Sequence, residues 1–293
     1  GNLLYGQKFM STLTLSKSNT RVDVLLIVVQ TLSQISDRMV QLGLIWFITS
    51  RFGENFLIWY LVVGGLPHAL LVAYSSRVID RVGSLKTVLY SDLARGIIYM
   101  SCFLLILSAW FGTDAGTSVL WLLFTSVFVS NIFSAFFNPA IMSLSVEVKP
   151  EDQVQKLTAK LTSVTSLATI IGPVLGLLLF NKWGLHGLFL LASLSYILSA
   201  YAVSLVTRSL TSKTDTTESI VPIAEFSLFK TTPIIGVMLV IFLLMNLLLS
   251  PLQVLMPSMA KDVFGNSFNS LAILETVIGS GILLGGAILS FFS

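Results

Sequence analysis

Long apolar stretches alternate along the chain with short segments that are charged or rich in turn-forming residues. A helix needs about 20 mostly apolar residues to cross the hydrocarbon core of a bilayer. Eight stretches approach or exceed this length. They lie at 23–49, 56–76, 87–111, 118–143, 158–180, 185–206, 233–256 and 268–291. The pattern predicts an all-α integral membrane protein with eight transmembrane helices.

Composition supports a membrane protein and argues against a soluble one. Of the 293 residues, 55% are hydrophobic and 11% are charged, and the mean hydropathy is +0.89. In a soluble globular domain about a quarter of the residues are charged. Cys102 is the single cysteine and lies in an apolar run, so neither a disulfide nor a thiolate metal site is expected. We expect no cofactor.

The positions of lysine and arginine predict an orientation for the spans. Cytoplasmic loops of membrane proteins carry an excess of these residues. With the N-terminus in the cytoplasm, twelve of the 17 lie in inside segments and three in outside segments. The remaining two, Arg38 and Arg95, lie within spans. The eight spans are therefore expected to begin from a cytoplasmic N-terminus.

A polar link divides the predicted spans into two sets. We expect a cytoplasmic N-terminal segment at 1–22, a six-helix bundle at 23–207, a cytoplasmic linker at 208–232 and two helices at 233–293. Six spans, a linker and a second set are the layout of a two-bundle transporter. The second set holds only two spans, so we expect further helices of an incomplete C-terminal bundle in the full-length protein.

The segment between the second and third spans carries a recognisable motif. We expect a short turn there, in which Gly83 adopts a positive φ. An aspartate near helix ends can hold cationic partners in one of two bundle arrangements. The segment is similar to the signature of the major facilitator superfamily in the same loop. The matching residues are Asp80, Arg81, Gly83 and Lys86.

Further stretches resemble the drug-exporter side of that superfamily, its macrolide-efflux-like branch above all. The third span has an Asp-x-x-Arg, the fifth has the Gly-Pro-x-x-Gly of an antiporter motif, and the eighth has a glutamate followed by glycines. The residues are Asp92 and Arg95, then Gly172, Pro173 and Gly176, then Glu275. The resemblance implies a major-facilitator-type helical bundle. One departure is the middle of span 4, at 129–133, which lacks the arginine of proton-coupled drug antiporters.

Two charged residues near the middle of span 1 are candidates for the transport site. Asp37 and Arg38 lie about 20 Å along the helix from its start, where a charge usually faces a cavity or a partner. Adjacent residues point about 100° apart, so the two do not share one face. Asp37 is the first candidate for a site that binds a substrate cation or a proton. The alternative is a structural network, for example with Arg95.

The other charges within spans have two interpretations each. Asp92 and Arg95 are spaced i, i+3 and lie on one helix face, which favours a network that gates or clamps the bundles. Glu275 takes part in proton coupling or cation binding, or it is a packing residue. Gly281 and Gly285 form a GxxxG, a pattern that permits close helix approach.

These features predict a secondary-active exporter of drug-like or amphipathic compounds that works by alternating access in a bacterial inner membrane. Its expected partners are a small-molecule substrate, the bilayer and protons, with no nucleic acid. The stretch Ser36–Met39 also resembles ferroportins, in which case Asp37 binds a divalent metal; a lysophospholipid transporter is a third reading. The sequence has no concentrated catalytic constellation, since its two histidines lie far apart. We therefore expect no enzyme, and a pure scaffold would not need charges inside its spans.

Overall fold

The computed structural model describes residues 20–108, 116–149, 151–211, 233–265 and 268–292. Within these ranges the chain is helical apart from short turns, and it contains no strand. A 3-10 turn at Val72–Tyr74 joins the second helix to the third. Most of the predicted N-terminal segment and of the predicted linker lies outside the described residues. The helices are α1 (Thr20–Phe52), α2 (Glu54–Leu71), α3 (Ser75–Val82), α4 (Ser84–Leu107), α5 (Gly116–Val148), α6 (Glu151–Thr211), α7 (Pro233–Leu249), α8 (Leu252–Asp262) and α9 (Phe268–Phe292).

Helix α6 is broken into two arms at Gly184. This glycine has φ +58° and ψ −151°, outside the helical region. Glycine reaches such a conformation at no steric cost because it lacks a Cβ. The first arm covers 151–183 and the second covers 185–211. The break agrees with the predicted division between spans 5 and 6.

The predicted turn between spans 2 and 3 is wrong in extent. Asp80 and Arg81 lie on helix α3, and the chain reverses only at Gly83, whose φ is +91° as expected. Helix α3 is held in place because Ile79 is buried in an apolar cluster with Val88 and Phe137. Its other face carries the exposed Asp80 and Arg81.

The prediction of one continuous span at 233–256 is also wrong. Helix α7 ends at Leu249 and α8 begins at Leu252, after a turn at Ser250 and Pro251. Proline has no N–H to donate and its ring clashes with the preceding helical turn, so the helix stops there. The apolar character nevertheless continues through the turn.

Five helical stretches in the described residues are long and apolar enough to cross a membrane. Charges in α1, among them Asp37 and Arg38, lower its hydropathy. The two arms of α6 count together as one apolar stretch, 153–207, although two spans were predicted within it. The count of eight transmembrane helices is therefore not confirmed. The five stretches are Glu54–Val82, Ser84–Leu107, Ser118–Val148, Gln153–Thr207 and Leu243–Asp262.

Burial in this structure is inverted relative to a water-soluble protein. Large apolar side chains such as Trp59, Leu70 and Trp121 are exposed, while Asp92 and Arg95 are fully buried. Exposed apolar side chains are favourable where the surroundings are lipid, and charges within a membrane face the interior of a bundle. The distribution matches a bundle whose outer surface contacts hydrocarbon.

Glycines let α1 lie directly against the first arm of α6. A Cβ added at Gly172 would lie 2.5 Å from the Cβ of Arg38 and 3.3 Å from the backbone N of Met39. At Gly176 it would lie 3.2 Å from the carbonyl oxygen of Met39. Two glycines one turn apart therefore set the distance between the helices at the position of Arg38.

Helix α9 packs on the same arm of α6 through Gly279, which is not one of the two glycines of the GxxxG. A Cβ at Gly279 would lie 2.9 Å from Thr169 Oγ1. At Gly281 and Gly285 it would meet nothing within 4 Å among the described residues. The close contact of α9 with α6 is therefore made at Gly279, and close helix approach at the GxxxG stays a prediction.

Candidate functional site

A central cavity of about 330 Å³ lies among α1, α2, α4 and α5, with Gln253 of α8 on its wall. Eleven of its sixteen lining residues carry a polar group, which is unusual for the interior of a membrane protein. The polar lining residues are Gln34, Asp37, Arg38, Gln41, Tyr60, His68, Tyr99, Asn131, Ser134, Asn138 and Gln253. We call this space the central cavity.

Helix α1 supplies a polar stripe to the central cavity. Gln34, Asp37 and Gln41 are spaced i, i+3 and i+7, so they lie above one another on one face of the helix. All three line the cavity. Gln34 also donates a hydrogen bond to Asn138 Oδ1 of α5 at 3.1 Å.

Asp37 joins the cavity to a buried arginine. The Arg95 Nη1 of α4 donates to both carboxylate oxygens of Asp37, at 3.0 and 3.2 Å. Tyr196 of α6 donates its hydroxyl to Asp37 Oδ1. The Arg95 side chain is 0% exposed, whereas that of Asp37 is 27% exposed. Asp37 is therefore the member of the network that a molecule in the cavity can reach.

Asp92 is the second carboxylate of the network and is fully buried. Its Oδ1 accepts a hydrogen bond from Arg95 Nη2, one turn along α4. Its Oδ2 accepts from Ser33 at 2.9 Å and from Ser199 at 2.5 Å. Both oxygens of a buried carboxylate are thus hydrogen-bonded, as burial of a charge requires.

Aromatic rings enclose the charged centre. The guanidinium carbon of Arg95 lies 4.5 Å from the ring centroids of both Phe137 and Tyr196. Tyr99 in turn stacks between Tyr196 and Phe189, with centroids 5.8 Å apart in each pair. A guanidinium between two ring faces is stabilised by cation–π interactions and is held in one orientation.

The network has two carboxylates and one guanidinium. With both carboxylates ionised it carries a net charge of −1, which in a low-dielectric interior attracts a cation or a proton. Asp37 is the one accessible position for either. Among the described residues no three His, Cys, Asp or Glu side chains are grouped as metal ligands.

A second cavity of about 280 Å³ lies on the other side of Arg38, between α1, the first arm of α6 and α7–α9. It shares Arg38, Gln41 and Gln253 with the central cavity. We call it the lateral cavity. Glu275 lines it, as does Pro173 of the predicted antiporter motif. Gly172 and Gly176 lie beside it as the packing glycines of α6.

The structure separates the predicted motif residues from both cavities. Asp80, Arg81, Gly83 and Lys86 are exposed at the end of the bundle where α3 meets α4. The adjacent Ser84 is buried and donates a hydrogen bond to Glu147 of α5. Asp92, although close in sequence, belongs instead to the Asp37 and Arg95 network.

Several members of the site were missed by sequence reasoning. Tyr196, Phe137, Ser33 and Ser199 are ordinary residues in membrane helices, and no local pattern marks them. The sequence indicates these partners only indirectly, because the charges of Asp37, Asp92 and Arg95 require partners from other spans. Gln34 and Gln41 were detectable, since each lies a turn from Asp37 on one helix face.

The fold and the site define a class: a multi-pass helical membrane protein with a polar, charged cavity enclosed between its helices. The chain belongs to the Major Facilitator Superfamily, whose family profile matches residues 26–293. The predicted resemblance is thereby confirmed. The family consists of transporters and not of enzymes.

Curated relatives narrow the resemblance to efflux proteins. Macrolide efflux protein A of Streptococcus pyogenes is 23% identical over 274 residues, which cover 90% of this chain and 64% of the relative. Macrolide efflux protein A of Enterococcus faecalis is 23% identical over 250 residues, covering 82% of this chain and 73% of the relative. The uncharacterized MFS-type transporter YfiS of Bacillus subtilis is 25% identical over 143 residues, covering 49% of this chain and 31% of the relative.

The chain thus spans 64% of the length of the streptococcal relative. No solved structure gives a significant match to it.

Proposed function

We propose that the full-length protein is a secondary-active exporter of drug-like or amphipathic compounds that works by alternating access. The observation that carries the proposal is the part-exposed Asp37 carboxylate, which faces a polar cavity while it is bonded to the buried Arg95. A cationic cargo or a proton can compete there for the same carboxylate. Such competition is the simplest way to couple two fluxes in opposite directions.

The proposal assigns proton coupling to Asp37. When Asp37 takes up a proton, the network with Arg95 and Asp92 becomes neutral, and the attraction for a cationic cargo falls. When the proton leaves, that attraction returns. The Tyr196 hydroxyl supports both forms, since a hydroxyl can donate to a carboxylate and accept from a carboxylic acid. The cation of the network is Arg95, which lies in the third predicted span. It offers an alternative to the arginine that proton-coupled drug antiporters carry in span 4 and that this chain lacks at 129–133.

We propose further that the protein lies in a bacterial cell membrane with its N-terminus in the cytoplasm. The distribution of lysine and arginine supports this orientation. Residues 23–207 would form the N-terminal bundle, with 208–232 as a cytoplasmic linker and 233–293 as part of the second bundle. The Asp80 segment would then lie on the cytoplasmic side, where it contacts the second bundle in one of the two states.

The test is Asp37→Asn in the full-length protein, assayed by efflux of a fluorescent cationic drug from cells. Efflux should fall to the level of cells that lack the protein, because asparagine has no charge to bind a cation and no proton to exchange. Asp262→Asn is the matched control, since Asp262 is an exposed carboxylate at the end of α8 that lines neither cavity. Unchanged efflux by Asp37→Asn at equal membrane abundance would contradict the proposal.

The metal-exporter alternative has less support. Asp37 already accepts hydrogen bonds from Arg95 and Tyr196, and a divalent ion prefers several carboxylate, imidazole or thiolate ligands together. Calorimetry on the purified protein separates the two functions. Micromolar binding of a divalent cation that is lost in Asp37→Ala would favour the metal. In the part of the chain that the structure describes, the lysophospholipid alternative has no supporting feature that a cationic amphipathic cargo does not share.

A further inference from the structure

We infer that the lateral cavity is a second subsite, which holds the hydrocarbon part of the cargo whose cationic group lies at Asp37. This inference rests on the proposed function and adds the class of cargo to it: an elongated amphiphilic cation rather than a compact one. The two parts of the cargo would be bound in two cavities of different character.

The two cavities differ in the chemistry of their walls. Most residues of the central cavity carry a polar group, as described above. The lateral cavity is lined mainly by hydrocarbon side chains from three elements: Leu42 and Ile45 of α1, Leu249 of α7, and Leu252 and Met256 of α8. Apolar pockets with few polar groups are the usual environment for the hydrophobic part of a ligand.

The charged side chains are placed differently in the two cavities. Arg38 lies on the wall of both, whereas Asp37 lines only the central cavity and Glu275 lines only the lateral cavity. The carboxylate of Asp37 has the buried Asp92 in the same network, so a cation is favoured at Asp37. In the lateral cavity Arg38 offsets the single carboxylate of Glu275, so an uncharged group is favoured there.

Helix α1 contributes to the walls of both cavities. Its first stripe faces the central cavity, and its second stripe of Arg38, Leu42 and Ile45, at i, i+4 and i+7, faces the lateral cavity. Arg38, Gln41 and Gln253 belong to the walls of both. Two long amides and a guanidinium are flexible side chains, so they can part to admit a hydrocarbon chain between the two spaces.

Two close helix contacts and the end of α7 border the lateral cavity. Gly172 packs against Arg38 and Gly279 packs against Thr169, and both Arg38 and Thr169 line the cavity. Helix α7 ends before Pro251, and Gln253 and Met256 of α8 lie on the cavity wall.

The experiment measures binding of alkyltrimethylammonium ions of increasing chain length to the purified full-length protein. Affinity relative to the free aqueous ion should rise about fourfold for each methylene that enters an apolar cavity. In Met256→Trp the added ring fills the lateral cavity, so the rise should stop at short chains while tetramethylammonium binds as in the parent. Leu255→Trp is the matched control, because Leu255 is the exposed neighbour on the same helix and should leave the series unchanged.

Leu252→Phe is a second and smaller filling variant, which keeps the test decisive if Met256→Trp does not fold. An equal dependence on chain length in the parent and in a folded filling variant would overturn the two-cavity inference. If the short ions still bind the parent and Asp37→Asn abolishes their binding, the proposed function stands even when the two-cavity inference fails. If no alkylammonium ion binds the parent, both proposals fail.

Discussion

At the residue scale, the structure is organised around one arginine that has no contact with solvent. Arg95 is bonded to two carboxylates and lies between two aromatic rings. Burial of a guanidinium is costly unless its donors are satisfied. Removing it leaves Asp37 and Asp92 as like charges without the cation that they share, so Arg95 supports the fold as well as the site.

We predict that Arg95→Gln destabilises the protein by about 3–5 kcal/mol, the usual cost of breaking a buried ion pair. Thermal unfolding in detergent measures it. Arg77→Gln is the control, since Arg77 is exposed and a surface change of this kind usually shifts stability by about 0.5 kcal/mol or less. Adding Asp92→Asn to Arg95→Gln should restore part of the loss. Equal midpoints for Arg95→Gln and the parent would contradict this role.

A second residue-scale prediction concerns Tyr196. In Tyr196→Phe the ring remains against Arg95 and Tyr99, but the hydrogen bond to Asp37 is lost. We expect near-parent stability and a changed pH profile of efflux, because the hydroxyl stabilises one ionisation state of Asp37 more than the other. Measuring efflux against pH in the full-length protein checks it. An unaltered profile would show that Tyr196 acts only by packing.

The sequence located the charged members of this site but not their neutral partners. Asp37, Asp92 and Arg95 stand out because a charge in an apolar run must find a partner. The suggested pairing of Asp37 with Arg95 is present in the structure. Tyr196 and Ser199 come from a distant helix, and an ordinary hydroxyl in a membrane helix carries no local signal of its partner.

At the element scale, glycines decide how the helices fit together. Helices α1 and α6 approach each other closely at Gly172, opposite Arg38 and Met39. A larger side chain there meets backbone atoms as well as a Cβ, so the helices must move apart. That movement would also displace Arg38, which lines both cavities.

We therefore predict that Gly172→Ala lowers stability by about 1–3 kcal/mol, the usual cost of overpacking. Gly281→Ala is the matched control, because a Cβ at Gly281 meets nothing within 4 Å in the described part of the chain. Thermal unfolding of both variants under identical conditions gives the comparison. If Gly281→Ala is the more destabilised of the two, the α1–α6 contact is not as described.

The turn at Gly83 gives a prediction of backbone strain. With φ +91°, an alanine at this position would be strained by about 1–3 kcal/mol. Gly65 is helical, and a Cβ there would meet no described atom within 4 Å. Gly65→Ala should therefore be neutral or slightly stabilising, since alanine is the better helix former. The unfolding midpoint of Gly83→Ala should therefore be lower than that of Gly65→Ala. A lower midpoint for Gly65→Ala would exclude a constrained turn at Gly83.

Element boundaries were predictable where glycine or proline forces them. Gly83 and the break near Gly184 follow from the sequence. Helix α3 was not predicted. It is short and mostly polar with a single buried face, so its composition resembles that of a loop. Pro251 was expected to interrupt helix hydrogen bonding within one span. That it separates two helices was not predicted, because the apolar run continues through it.

At the scale of the whole molecule, the proposed orientation has a direct test. With Cys102 buried and replaced by serine, single cysteines at Glu54 and Arg81 lie near opposite ends of the apolar stretch Glu54–Val82. A membrane-impermeant maleimide should label Glu54→Cys in intact cells and Arg81→Cys only after permeabilisation. The opposite result would place the N-terminus outside.

The class of protein was more predictable from the sequence than the number of its spans. Hydrophobicity and the order of weak motifs were enough to predict the family. The count of eight stays unconfirmed because charges lower the hydropathy of α1 and because the two arms of α6 form one apolar stretch. The depth and shape of the cavities depend on contacts between distant helices, which no local pattern encodes.

The central claim is that Asp37 exchanges a proton for a cargo, and it is tested most directly in liposomes that contain the full-length protein and an internal pH indicator. A cationic cargo added on one side should drive proton movement in the opposite direction. In Asp37→Asn this movement should be absent, while Asp262→Asn should behave as the parent. Cargo-driven proton movement that persists in Asp37→Asn would contradict the account.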